Sequence, residues 1–244
     1  MGEGRCAPPL DFMPVEYDNP VRQVGYQRQM VRLRERTTDR RGQSLRFTRV
    51  RLENWRNFRE AEVRLKERAF IVGPNASGKS NFLDALRFLR DIARADGGLA
   101  TALGQPGQPG RGGFKGVRCL FARRPSALVF DVDVGTDDEP ELWNYQLVLQ
   151  QQQNVRGKPV AVELERVHHR GEVVAQTTRP AKATDWLLYS QTQLEQVQAN
   201  AKFRELADFF ASIRYLHVVP QIVKDPRRAD SSERIHTGAI SFDA

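Results

Sequence analysis

The sequence predicts an α/β fold carrying a distinct antiparallel β region, and three observations predict it. Residues 73–80 read Gly-Pro-Asn-Ala-Ser-Gly-Lys-Ser, between a short apolar run and a longer stretch of helical periodicity. Residues 127–177 then change to short alternating runs separated by turns. The chain has 244 residues and 40% hydrophobic content, enough to bury a core of one or two domains.

Taken in order, residues 1–44 hold Pro8, Pro9, Pro14 and Pro20 and then enter a Gln- and Arg-rich stretch with little periodicity. This reads as a flexible basic leader, with the folded part, 45–244, starting near Leu45. Arg68–Val72 is mostly apolar and reads as a strand. Residues 80–95 place Phe82, Leu83, Leu86, Leu89, Ile92 and Ala93 at helical spacing. Gly97-Gly98 and the Gly- and Pro-rich stretch Gly104–Gly116 read as an exposed connection, either a plain linker or a mobile loop.

The alternating runs are Ala127–Val134, Trp143–Leu149, Pro159–Val167 and Glu172–Thr177, with β-branched and aromatic residues enriched. They predict an antiparallel β region over 117–178, with turns at Asp137–Pro140 and Asn154–Lys158. Residues 200–213 carry Phe203, Leu206, Ala207, Phe209, Phe210 and Ile213 on one wide helical face. Ile213–Val219 reads as a buried strand, ended by Pro220-Gln221.

Residues 73–80 complete the pattern G-x-x-x-x-G-K-[ST], a chemistry for holding phosphate. A backbone that wraps a polyphosphate must turn its N–H groups inward. Gly73 and Gly78 permit those dihedrals and the close approach. Lys79 is placed to reach the β- and γ-phosphates, and the Ser80 hydroxyl is the expected protein ligand to Mg²⁺. A helix starting at Ser80 would aim its free amides and positive dipole end at the same phosphates.

The interior of the loop, Gly73-Pro74-Asn75 and Ser77-Gly78-Lys79-Ser80-Asn81, together with Leu83 and Leu86 just beyond, resembles the ATP-binding heads of ABC-type ATPases of the SMC and RecF class. Leu52-Glu-Asn-Trp-Arg-Asn-Phe58, about twenty residues earlier, is similar to the first strand and turn of those heads. The resemblance implies a P-loop NTPase core, a partial ABC-type ATPase head with an antiparallel β subdomain, that binds ATP and Mg²⁺. It implies that the first hairpin, Phe47–Asn54 with Glu60–Leu65, lies over the nucleotide, so that Arg56 approaches it; an ordinary solvated turn arginine is the alternative. By position, Gln221 matches the glutamine that senses Mg²⁺ and the γ-phosphate, and an ordinary loop glutamine is the alternative there. The helical subdomain, signature segment, Asp-Glu strand and switch histidine of such heads are not recognisable. The expectation is therefore ATP binding, with hydrolysis needing a missing C-terminal half, a second ATPase half or a head-to-head dimer. Heads of this kind serve DNA repair, chromosome organisation and phage defence.

Composition narrows the partners. The net charge of +8 favours polyanions, so nucleic acid is a candidate partner. A nucleic-acid-binding or regulatory module with a relic loop is the second reading; a solvated basic leader gives the same charge. A small-molecule kinase is a third, against which the antiparallel runs count. No run of about 18 apolar residues is present, so no spanning helix is expected, and Cys6 and Cys119 match no metal or redox spacing, which fits the cytoplasm. The four histidines show no ligand spacing. Leu128-Val-Phe-Asp131 superficially fits a second magnesium motif, but the alternation continues through Val134, so Asp131 reads as a polar residue on an open strand face.

Overall fold

The structure is a computed structural model that describes residues 44–104, 110–122, 127–153, 155–180, 185 and 187–216. The expected leader lies outside these residues except for Ser44. Described residues up to Ser212 form one unit, and those from Ile213 belong to a second.

In the first unit, β1 (Arg46–Glu53) and β2 (Glu60–Arg64) form the first hairpin, followed by α1 (Lys79–Ala93), α2 (Leu99–Leu103) and α3 (Gly113–Val117). The strands β3 (Leu128–Gly135), β4 (Trp143–Gln151), β5 (Val160–His169) and β6 (Glu172–Thr178) come next, then α4 (Arg204–Ala211). All six strands join one antiparallel sheet in the order β2-β1-β3-β4-β5-β6. The four expected alternating runs all form strands, and the sheet reaches beyond them to take in the first hairpin. The β5–β6 connection is a two-residue loop with Arg170 at φ 51° and Gly171 at φ 82°, the left-handed pair that matches strand twist in a tight hairpin.

Alternation gives the sheet two unlike faces. Val50, Leu52, Leu128, Phe130, Val132, Tyr145 and Leu147 point to one side and are fully buried. Against them α1 sets Phe88, which stacks on Phe130 at 5.2 Å, and α4 sets Phe210, 5.4 Å from Tyr145 and 5.8 Å from Phe47. Each such aromatic contributes about 1.5–3 kcal/mol by burial and its ring contacts about 0.5–1.5 kcal/mol more. The opposite face is polar. There Arg49 pairs with Asp131 at 2.8 Å and Asp133 at 2.6 Å, and Asn144 donates to both carboxylates. Asp131 is thus occupied in a cross-strand ion pair, in keeping with the open-face reading. The two sheet edges also differ: β2 is short and alternates exposed Glu60, Glu62 and Arg64, whereas β6 carries Glu172 as its one charged residue.

Four expectations change. Arg68–Val72 has no strand ladder among the described residues, and Phe70 and Val72 are 63% and 60% exposed; an extended run becomes a strand only when a neighbour supplies its hydrogen bonds. Among the described residues the expected core sheet around the loop is therefore not seen, and the described sheet is wholly antiparallel. Residues 213–216 likewise form no strand, and 217–219 lie outside the described residues. The expected helix at 200–213 is split into a 3-10 turn, Ala199–Phe203, and α4, which ends at Ala211. Gly104–Gly116 is in part built rather than a free connection: α3 forms within it, and Arg111 donates to the Ala102 carbonyl and pairs with Asp84 and Asp91 of α1.

Candidate functional site

The loop 73–78 leads straight into α1. Gly73 has φ 155° and Gly78 φ 103°, both outside the range comfortable for side-chain-bearing residues, and Ala76 between them is held at φ 64°. Space imposes the same requirement. A Cβ on Gly73 would sit 2.9 Å from Ser77 Oγ, and one on Gly78 would meet Asn57 Nδ2 and Phe58 Cζ at 2.6 Å each. Ser77 is buried, and its Oγ has no hydrogen-bond partner. Gly78 is the N-cap of α1 and supplies no capping side chain, and the first turn holds no acidic residue. The amides that a helix leaves unpaired at its start, with the positive end of its dipole, therefore face the loop. Lys79 Nζ lies across the loop, donating to the carbonyls of Gly73 at 2.8 Å and Pro74 at 2.7 Å.

Four consecutive residues of the β1–β2 turn grip this loop and helix. Trp55, with no exposed surface, packs on Phe88 and Phe130 and donates its Nε1 to the Asn81 carbonyl at 2.7 Å. Arg56 ion-pairs with Asp84 at 2.8 Å and donates to the Gly116 carbonyl at 3.1 Å. Asn57 accepts from Asn81 Nδ2 at 2.8 Å, and Phe58 packs on Gly78. The turn is itself strained, with Asn54 at φ 58° and Arg56 at φ 53°. Backbone bonds hold it there: Asn54 N to Arg59 O at 2.9 Å, Arg56 N to Val117 O at 2.6 Å and Cys119 N to Asn54 O at 2.7 Å.

The structure thus brings Gly73, Ser77, Gly78, Lys79 and Asn81 together. Asn75 and Ser80 are exposed on the loop and at the start of α1. Arg56 lies beside the site with its guanidinium engaged by Asp84, and Gln221 lies outside the described residues. Sequence reasoning missed Asn57, Asp84 and Arg111. The Asn57–Asn81 bond carries no local pattern, since its partners are 24 residues apart.

Two carboxylates, one buried and one half-buried, also missed, lie apart from the loop. Glu165 on β5 is fully buried and accepts from Tyr145 Oη at 2.9 Å, Gln193 N at 2.5 Å and Leu194 N at 3.0 Å. Burial pushes it up to about 7, against which the Gln193, Tyr145 and Leu194 hydrogen bonds pull only partly. Glu195 is also raised by burial; it accepts from Thr192 N at 2.7 Å and, with its other oxygen, from Leu99 N at 2.7 Å, beyond the C-terminal end of α1. Thr192 Oγ1 accepts from Glu195 N in return, so the spacing Thr192-x-x-Glu195 was the legible signal, a capping box. Among the described residues, no cluster of three or more His, Cys, Asp and Glu is placed to hold a metal ion.

A glycine-hinged loop closing on an uncapped helix start defines a P-loop protein. The chain belongs to the family described as "AAA domain, putative AbiEii toxin, Type IV TA system", whose model matches residues 68–228. That places it among the AAA-type P-loop ATPases, a nucleotide-binding family. It is also similar to endonuclease GajA of Bacillus cereus (strain VD045), at 43% identity over 47 residues. Those residues are 19% of this chain and 8% of GajA, so the match spans a small part of that relative's length. No helix among the described residues is long and apolar enough to cross a membrane.

Proposed function

We propose that the chain binds ATP with Mg²⁺ through residues 73–81, as the nucleotide-binding part of an ABC-type ATPase of the SMC/RecF-like class. The observation that carries this is the pair Gly73 and Gly78, where both dihedral and free space exclude a side chain just where the loop turns onto the uncapped helix. The orphaned Ser77 Oγ and the open helix start suit an anion with many acceptor oxygens. Lys79 exchanges its bonds to the Gly73 and Pro74 carbonyls for the β- and γ-phosphates. The exposed Ser80 hydroxyl would be this loop's ligand to Mg²⁺, an ion that takes few protein ligands. Asn75 flanks the phosphates at the loop tip, and Gln221 is the proposed second contact to Mg²⁺. Arg56 acts on the site through Asp84 and α1.

Hydrolysis needs a group that orients the attacking water, and the loop provides none. We assign that step to a further ATPase half or a head-to-head partner. A titration with a fluorescent ATP analogue tests the binding reading. The wild type should bind in the presence of Mg²⁺, and Lys79→Ala should bind roughly 10- to 100-fold more weakly, the worth of a charged hydrogen-bond donor. Equal, negligible binding by both would sink it. If both instead bound DNA in a salt-sensitive way, the net charge of +8 and the endonuclease name of GajA would favour a nucleic-acid module with a relic loop.

A further inference from the structure

Lys79 and Ser80, the two side chains proposed to handle phosphate and metal, are bracketed in sequence by residues that the β1–β2 turn holds directly. On one side is Gly78. The Asn57 amide lies against it so closely that a Cβ there would be 2.6 Å from Nδ2 and 2.9 Å from Oδ1. On the other side is Asn81, fixed twice: its carbonyl accepts from Trp55 Nε1 at 2.7 Å, and its side-chain amide donates to Asn57 Oδ1 at 2.8 Å. Asn57 touches both brackets.

Two features separate Asn57 from an ordinary packing residue. It is not part of the apolar core, which Trp55, Phe88 and Phe130 complete without it. Its Nδ2 is buried with no acceptor. An unmet buried donor costs about 1–3 kcal/mol, so an asparagine kept only for stability would be improved by a side chain without that donor. The left-handed dihedrals of Asn54 and Arg56 set the course of the turn that presents Asn57 to the loop.

We propose that Asn57 is a positioning residue for the phosphate loop, acting through Asn81 and Gly78 to hold Lys79 and Ser80 in the geometry that receives a nucleoside triphosphate. The inference rests on the nucleotide-binding reading above. Its loss costs affinity for the triphosphate in excess of any cost to the fold, because the loop is displaced while the core stays closed.

A double-mutant cycle on the full chain tests this, using wild type, Asn57→Ala, Asn81→Ala and the double variant. Nucleotide Kd is measured with a fluorescent ATP analogue and Mg²⁺, and Tm is measured in parallel. Asn81→Ala spares the carbonyl that Trp55 holds, so it removes the side-chain bond alone and gives the same readout if Asn57→Ala does not fold. Each single variant should bind roughly tenfold more weakly, as is usual when a group supporting a binding residue is removed. The double variant should bind no more weakly than about the worse single one, because both remove one shared bond. Wild-type affinity in a folded single variant would overturn the proposal, as would strictly additive losses or an affinity loss that only tracks the folded fraction. Absence of binding by the wild type would instead remove the nucleotide reading itself, and this inference with it.

Discussion

The helix-covered face of the sheet and the segment that approaches the phosphate loop are ordered by different means. On the sheet, Trp55, Phe88 and Phe130 have no exposed surface and fix one another by contact. Along residues 68–78, Phe70 and Val72 stand open, and the course of the chain is set by the dihedrals of Gly73, Ala76 and Gly78 and a few polar bonds. Burial resists most disturbances because it is the sum of many contacts. A loop set by dihedrals and single hydrogen bonds can fail at one residue. The two regions meet at residues 55–58, so fold and site should respond separately to most substitutions and together only there.

The largest effect should come from joining the two losses at Trp55. Trp55→Ala opens the Phe88–Phe130 cluster and frees the Asn81 carbonyl, and should lower the unfolding free energy in urea by about 3–5 kcal/mol while weakening nucleotide binding. Loss of stability with unaltered affinity in the folded protein would show that the regions are not joined at this residue.

A smaller effect, confined to the sheet side, is expected from pH. Folding raises Glu165 from 4.5 to about 7, so the folded protein keeps a proton that the unfolded chain releases. That contribution to stability is complete below about pH 4.5, is lost as pH rises toward 7, and amounts to about 3 kcal/mol at most. Glu195, also raised, acts in the same sense. Thermal melts from pH 5 to pH 8 should show Tm falling, with a shallower slope in Glu165→Gln. Nucleotide affinity of the folded protein should not follow that slope, since neither acid touches the loop. The smallest effect belongs to the rim. Asp137 is 78% exposed in its pair with Arg46, so Asp137→Ala should change the urea-derived stability by under about 1 kcal/mol.

Where a local pattern carries the physics, the chain was legible. The period-two runs gave β3 to β6 nearly to the residue, and the loop and α1 followed from two glycines and a 3.6-residue stripe. Arg68–Val72 misled because an apolar run states only that burial is favourable, not which neighbour provides it. Arg111 in a Gly-rich stretch looked like part of a linker, and only its partners Asp84 and Asp91 show why that stretch is anchored. Glu165 sits in a run that alternates apolar and polar residues, and its inward place is set by the register shift of β5 against β4 between Val148 and Leu149, where Glu163 is the extra residue and the inward face passes from Val162 to Glu165 and Val167, a geometric fact with no sequence signature.

The bond from Trp55 to the Asn81 carbonyl has a thermal consequence. Its donor has no exposed surface, so melting of the first turn of α1 has to break a hydrogen bond anchored in the core, which couples that turn to the domain. Competence to take up ligand should therefore vanish with global unfolding in a single transition as temperature rises. Ligand that binds only the folded state should in turn raise the melting temperature of the whole sheet, including strands that never touch it.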